Sequence, residues 1–258
     1  MNSKPMSINP KEAAVFLVDY AAWLYGCGAT CSRITKNVDR IAQVWGLKFE
    51  MNILPGSIQF TTEVDDCSQV FIKKTPATGI SFYKNTQLSK LSWGIADGKM
   101  SLNDAKEAFR KIITAPFTNK WVVLVLASLA NLGFCRIFGG DAIAMGIVFI
   151  ATLAGFRLKQ ILIEEHMDHK LVFLICAFFS SVIATSGYIF HLGDKPEVAL
   201  GTCVLYLIPG IPYINSISDL LVGEYLVAFS RFMNALLLTF CLSVGLACGI
   251  LLMNLQLF

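Results

Sequence analysis

Charge is what this 258-residue chain has least of: 15% of its residues are Asp, Glu, Lys or Arg, against about 25% in a typical soluble domain. Together with 55% hydrophobic residues, that deficit excludes a wholly soluble protein. Histidine is scarcer still, with three in all and none before His166. The sequence also has no glycine-rich phosphate loop and no nucleophile elbow, so no catalytic constellation emerges and no enzyme activity is expected. Its eight cysteines never form a C-x-x-C pair, which leaves no zinc ribbon and no disulfide framework to expect. Those within apolar stretches read as small hydrophobes. The formal net charge is only +3, without a basic run, so a dedicated nucleic-acid surface is excluded. The opening Met1-Asn2-Ser3-Lys4-Pro5 leads into no long apolar stretch, and the run Ala13–Tyr25 is interrupted by Asp19. Neither a signal peptide nor a membrane anchor is expected there.

The charges that are present lie unevenly. Residues 1–118 carry 24 of the 39, and residues 119–258 carry 15. The break falls near Ala115-Pro116-Phe117-Thr118-Asn119-Lys120, a helix-breaking segment. The expected organisation is a small cytoplasmic α+β domain over 1–118, followed by an α-helical multi-pass membrane domain over 119–258.

In the first part, Asn9-Pro10-Lys11-Glu12 supplies an N-cap, a proline at the first helical position and an acid at the third. Apolar residues follow at helical spacing from Ala13 to Leu24, and Gly26 and Gly28 end the run. A second helix begins near Thr30, with Ile34, Val38, Ile41 and Trp45 on one face and Gly46 as its stop. The period then changes to two over 47–53 and 58–64, with a turn at Pro55-Gly56, another at Asp65-Asp66 and a third strand marked by Val70 and Ile72. This is the pattern of an antiparallel meander with one buried face. Helices over 84–98 and 102–114 close the domain, the second capped by Ser101. The most distinctive local group is Gly28-Ala29-Thr30-Cys31-Ser32-Arg33. It reads as a glycine turn entering a helix, with a ligand or interface role for Gly28 and Arg33 as the sharper alternative.

The second part holds five apolar segments, at about 119–138, 141–163, 171–191, 197–222 and 225–254. Each can cross a hydrocarbon core of about 30 Å, which takes about 20 helical residues. Lys106, Arg110, Lys111 and Lys120 precede the first span, and Arg157, Lys159 and Lys170 lie between the second and third. The opposite loops hold only Arg136 and Lys195, so residues 1–118 are expected inside and the C-terminus outside. Glu164, Glu165, His166, Asp168 and His169 crowd one loop. Charged loops are ordinary at a membrane edge, so neither these residues nor His191 are expected to hold a metal, and no cofactor is expected.

The fourth segment contains Pro209-Gly210-Ile211-Pro212-Tyr213-Ile214-Asn215-Ser216-Ile217-Ser218-Asp219. Counting from Glu197, Pro209 lies twelve residues on, about 18 Å along a helix. That is just past the middle of the hydrocarbon. Pro209 and Pro212 cannot bond back to the carbonyls of Leu205 and Ile208. A discontinuous helix with free carbonyls is expected, tolerable only where protein or a wet cavity satisfies them. If helix resumes at Pro212, its N-terminus suits a carboxylate, with Asn215, Ser218 and Asp219 on one face. The plainer alternative is a proline-kinked span ending in a polar interfacial turn.

With those residues set out, the chain resembles the threonine/serine exporter family, and most closely the larger subunit of its two-component version, the type linked to dicarboxylate (succinate) export. The family shows Pro-Gly-x-Pro-x-Ile-Asn followed by Asp-Leu-x-x-Gly. Here these are Pro209-Gly210-Ile211-Pro212-Tyr213-Ile214-Asn215 and Asp219-Leu220-Leu221-Val222-Gly223. It also shows Gly-Ala-x-x-x-Arg-Val-Glu, matched by Gly28 through Ile34, with Thr35 in place of the acid. Turns at Pro55-Gly56 and Gly139-Gly140-Asp141 are similar too. The resemblance implies a secondary-active exporter of small carboxylates in a bacterial inner membrane. Substrate would bind at Pro209, Gly210, Pro212, Asn215, Ser218 and Asp219, with protons as the candidate coupling ion. One broken helix without a paired partner also calls for a second component, a smaller integral membrane subunit or a homo-oligomer, within membrane lipid. The competing expectations are a membrane-anchored enzyme or sensor acting through residues 1–118, and an assembly subunit with no transport site.

Overall fold

The computed structural model describes residues 9–64, 67–116 and 118–253. The turn expected at Asp65-Asp66, the opening residues 1–5 and the end of the fifth expected span at 254 lie outside them. Contacts group the described residues of Met1–Pro116 with Ile211–Phe232 as one compact unit, and those of Phe117–Gly210 with Met233–Phe258 as another.

The first unit is built around α1 (Pro10–Gly26). Asn9 caps it, its side chain accepting the Lys11 N–H at 3.0 Å, and Pro10 is the first helical residue. Nine residues of α1 are buried, on every side of the helix, as expected of a helix enclosed by its neighbours. Those neighbours are α2 (Cys31–Trp45), the sheet, α3 (Phe82–Ala96) and α4 (Leu102–Thr114). Phe16 of α1 sets its ring 5.6 Å from Trp45 of α2 and 5.5 Å from Phe109 of α4. Gly46 ends α2 at φ 66°, the left-handed conformation that glycine adopts freely. Ser101 and Asp104 form a reciprocal capping box that starts α4.

The sheet is an antiparallel meander of β1 (Phe49–Leu54), β2 (Ser57–Val64) and β3 (Cys67–Lys74). Its register sets Met51 opposite Phe60 and Phe60 opposite Phe71. Residues directly opposite share a face, so Phe71 packs on the core beside the buried Ile58 and Phe60. Val70 and Ile72, the residues that mark β3 in the sequence, therefore point outward and are 59% and 62% exposed.

The second unit contains α5 (Lys120–Ile137), α6 (Ala142–Glu164), α7 (His169–Ile189), α8 (Pro196–Thr202) and a 3₁₀ turn over Leu205–Leu207. After the chain passes through α9 (Gly210–Leu221), α10 (Tyr225–Leu252) supplies its last helical segment. Among the described residues, four helices, α5, α6, α7 and α10, are long and apolar enough to cross a membrane, and a fifth span results if α8, the turn and α9 are taken as one broken span. The protein is thus a mostly helical membrane protein carrying a small three-stranded sheet.

Small residues set the packing of these helices, as is usual where both lipid and protein are apolar. Gly155 of α6 faces the hydroxyls of Ser180 and Tyr206, while Gly245 and Gly249 of α10 lie against Leu174, Ser181 and Phe178 of α7. Asn131 of α5 donates to Thr152 Oγ1 of α6 at 2.6 Å and to the Thr202 carbonyl of α8 at 3.2 Å.

Candidate functional site

The break before α9 follows from Pro209. A residue preceding proline is driven out of the helical region, and Ile208 accordingly sits at φ −59°, ψ 123°. Helix resumes at Gly210, two residues earlier than the sequence suggests. Pro212 then falls in the first turn, where a missing N–H removes no helical hydrogen bond. The carbonyls expected to be free are not. Leu205 O accepts the Ile208 N–H at 3.2 Å, and Ile208 O accepts the Gly210 N–H at 2.9 Å. A tight local turn satisfies both groups.

Downstream of that turn, α9 and the start of α10 reach the loop that enters α2. Asn215 Nδ2 donates to the Gly28 carbonyl at 2.9 Å. Asp219 Oδ1 accepts the Cys31 N–H at 2.8 Å. Its Oδ2 forms an ion pair with Arg231 Nη1 of α10 at 2.9 Å, without the in-line geometry of a hydrogen bond. Arg231 Nη2 donates to the Ala29 carbonyl at 2.8 Å, and its guanidinium stacks 4.6 Å over the Tyr25 ring. Ser216 Oγ ties α9 to α10 by donating to Ala228 O at 2.7 Å. Three side chains thus hold the backbone of residues 28–31. Parts of the two segments singled out in the sequence, Gly28–Arg33 and Pro209–Asp219, meet here, with Cys31 and Asp219 188 positions apart in the chain.

The local chemistry explains the arrangement. Gly28 has φ 84°, open to glycine and strained for other residues. Thr30 occupies the N-cap position of α2 but makes no side-chain cap bond. Asp219 takes over that duty from a distant helix, placing a carboxylate where the positive end of a helix favours it. Its side chain is fully buried, and a buried carboxylate must be paired. Arg231 supplies the charge, α2 an N–H, and Tyr25 a π face for the guanidinium. Burial, reinforced by the charge of Asp219, pushes the Cys31 thiol up to about 12, so it is a neutral packing group rather than a nucleophile. Burial likewise raises Tyr25 above its ordinary value.

Other expected site residues stand apart. Arg33 donates to Asn85 Oδ1 of α3 at 3.1 Å and takes no part in the Asp219 cluster. Ser218 and Pro212 are half-buried. Pro209 and Gly210 shape the break. Two members of the cluster, Tyr25 and Arg231, are missing from the sequence reading. Arg231 had a signal: it is the only charged residue in the whole of α10, and an ionisable group in an apolar span calls for a named partner. Among the described residues, no group of three or more His, Cys, Asp or Glu could hold a metal ion.

A carboxylate gripped by a guanidinium and a helix N-terminus is also what a free carboxylate would require. The family model ThrE, described as "Putative threonine/serine exporter", matches residues 15–253. The chain is 24% identical over 233 residues to the "Probable succinate transporter subunit YjjP" of Escherichia coli (strain K12), covering 89% of this chain and 90% of that protein. It is 24% identical over 232 residues to the protein of the same name from Klebsiella aerogenes, covering 88% and 89%. The "Probable threonine/serine exporter" of Mycobacterium tuberculosis is 24% identical over 185 residues, 70% of this chain and 34% of that protein. No solved structure matches.

Proposed function

Because the chain belongs to the threonine/serine exporter family, we propose that it is a subunit of a secondary-active exporter that moves small carboxylate metabolites, threonine and serine or dicarboxylates such as succinate, out of the cytoplasm. It acts as a transporter rather than an enzyme. Residues 1–118 form its cytoplasmic domain and residues 119–258 its membrane domain, which lies in the bacterial inner membrane with the C-terminus outside.

The observation that carries this reading is the buried Asp219, paired with Arg231 and seated on the N-terminus of α2. In this state the protein's own carboxylate occupies a carboxylate site. Substrate enters by exchange: its carboxylate takes Arg231 and the α2 N–H groups as Asp219 leaves. In this reading protons are the coupling ion. Because Asp219 is fully buried, exchange requires α9 and α10 to part from the loop at residues 28–31. Asn215 and Ser218 line the same helix and accompany Asp219 in that motion, with Pro209, Gly210 and Pro212 providing the break about which α9 turns.

A smaller integral membrane subunit completes the pathway. An apolar cleft of about 420 Å³, lined by Ile217, Leu220, Tyr225, Phe229 and Phe232 of α9 and α10, offers it a seat. The two relatives named as transporter subunits support the need for a partner.

The test is efflux of threonine, serine and succinate from a producing strain that expresses the chain with and without a candidate small membrane subunit. Efflux is expected only with both, and is expected to fail in Asp219→Asn and Asn215→Ala variants that still reach the membrane. Undiminished efflux in both variants would remove the site from the mechanism. Turnover of a substrate by residues 1–118 alone would replace the transport reading with an enzymatic one.

A further inference from the structure

A second feature of α2 is not used by the Asp219 cluster. Beyond its first turn, α2 and α3 enclose a cleft of about 500 Å³ lined by Arg33, Lys36, Arg40, Thr86, Ser89 and Trp93, together with Asn37 and the hydroxyl residues at the start of α2. No acidic residue lines it. Arg33, Lys36 and Arg40 follow one another at spacings of three and four, so they share one face of the helix.

A row of cations on a solvated helix is usually balanced by nearby acids. Here none of the ion pairs among the described residues includes Arg33, Lys36 or Arg40, although Asp39 is next to Arg40 in sequence. Neutral groups hold the arginines instead. Arg33 donates to Asn85 Oδ1 at 3.1 Å, and Arg40 donates to Asn37 Oδ1 at 2.8 Å and Ser92 Oγ at 2.6 Å. Asn37 is itself oriented by donating to Ser89 Oγ at 3.0 Å. Asn37 and Asn85 are 4% exposed and Ser92 is fully buried, and polar groups are costly to bury without partners. The Arg40 guanidinium also lies 3.7 Å over the Trp93 ring. Two arginines are therefore oriented in advance while their charge stays uncompensated.

We propose that this cleft binds a small dianion, a dicarboxylate or a phosphate, through Arg33, Lys36 and Arg40. The guanidinium fork matches carboxylate and phosphate oxygens, and hydroxyls of Thr86 and Ser89 stand ready to donate to them. Arg33 and Arg40 lie seven residues apart on α2, about 10 Å along its axis, with Lys36 between them. Three cations on one face with no acid among the lining residues favour a ligand with two negative charges over a single carboxylate. The site does not rest on the exporter reading and uses none of the residues of the Asp219 cluster.

The experiment is titration calorimetry on the full chain in nanodiscs of zwitterionic lipid, with succinate, inorganic phosphate and, as the monoanion control, acetate. Saturable binding of at least one dianion, tighter than acetate, is expected. Arg33→Gln and Lys36→Glu, both at exposed positions, are each expected to weaken it about tenfold or more. The absence of saturable binding with either dianion would overturn the proposal. So would equal binding of acetate, or binding unchanged in both Arg33→Gln and Lys36→Glu. Binding abolished by Asp219→Asn alone would assign the anion to the other cluster and equally overturn it.

Discussion

Asp219 of α9 and Arg231 of α10 meet at 2.9 Å, the carboxylate fully buried and the guanidinium side chain 12% exposed. Removing one partner of such a pair strands the other in a low-dielectric site, which costs about 3–5 kcal/mol. Asp219→Asn and Arg231→Gln should each lower the thermal midpoint of the detergent-solubilised protein sharply. The double variant removes both charges together, so its loss should fall short of the sum of the singles by about 0.5–3 kcal/mol. Strict additivity would mean that the two groups do not act as a pair.

The loop they hold depends on Gly28. Its φ of 84° is strained for any residue with a Cβ, and a methyl there would also come within 3.1 Å of Ile80. Gly28→Ala is expected to cost about 1–3 kcal/mol, read as a drop in the unfolding midpoint. It should also displace the carbonyl that accepts from Asn215. Combining Gly28→Ala with Asn215→Ala should therefore cost less than the two changes made separately. A midpoint equal to wild type in Gly28→Ala would show that the loop can rearrange without penalty.

Local signals carried much of this architecture. Asn9-Pro10, Gly46, Pro55-Gly56 and Ser101 each act within a few residues of their own position, and the structure uses each as a cap, stop or turn. The apolar spans are legible because length and composition alone define them. What escaped was set by distant chain. Nothing near Thr30 indicates that its capping duty passes to Asp219, and nothing near Asp219 indicates which cation neutralises it. Arg231 could have been suspected from its isolation in an apolar helix, but its partner could not be chosen before α9, α10 and the residue 28–31 loop were brought together. The outward turn of Val70 and Ile72 has the same origin. Alternation gives two faces, and only pairing of Phe71 with Phe60 decides which one meets the core.

Cysteine chemistry gives a pH-dependent expectation. Cys31 is buried, and its thiol is held up at about 12, whereas an unfolded thiol ionises near about 8.5. Raising the pKa of an acid in the folded state favours its neutral form. The associated stability is therefore present in full below about 8.5 and is lost as pH rises toward the folded value, by up to about 1.4 kcal/mol per pH unit. Wild type should lose more stability between pH 8 and pH 10, taken as about those values, than Cys31→Ala does. At neutral pH, alkylation mapped by mass spectrometry should modify the exposed Cys67 and spare Cys31 until the protein is unfolded. Equal labelling of the two in the folded protein would contradict the burial of Cys31.

Within the membrane unit, Gly155 offers a sharper probe of packing. Ser180 and Tyr206 share a hydrogen bond of 2.9 Å, and a Cβ on Gly155 would run into both hydroxyls. Gly155→Ala must therefore either push α6 away from the turn at Leu205–Leu207 or break that bond. Overpacking of this kind costs about 1–3 kcal/mol, so a lower unfolding midpoint is expected. Tyr206→Phe removes the hydroxyl and some of the crowding, and should restore part of the loss in the double variant although it destabilises the wild-type background. If Tyr206→Phe gave no rescue, the clash would lie with Ser180 alone, and a Ser180→Ala background should then supply the relief. Failure of both backgrounds would rule out close packing of Gly155 on this pair as the reason a glycine is needed there.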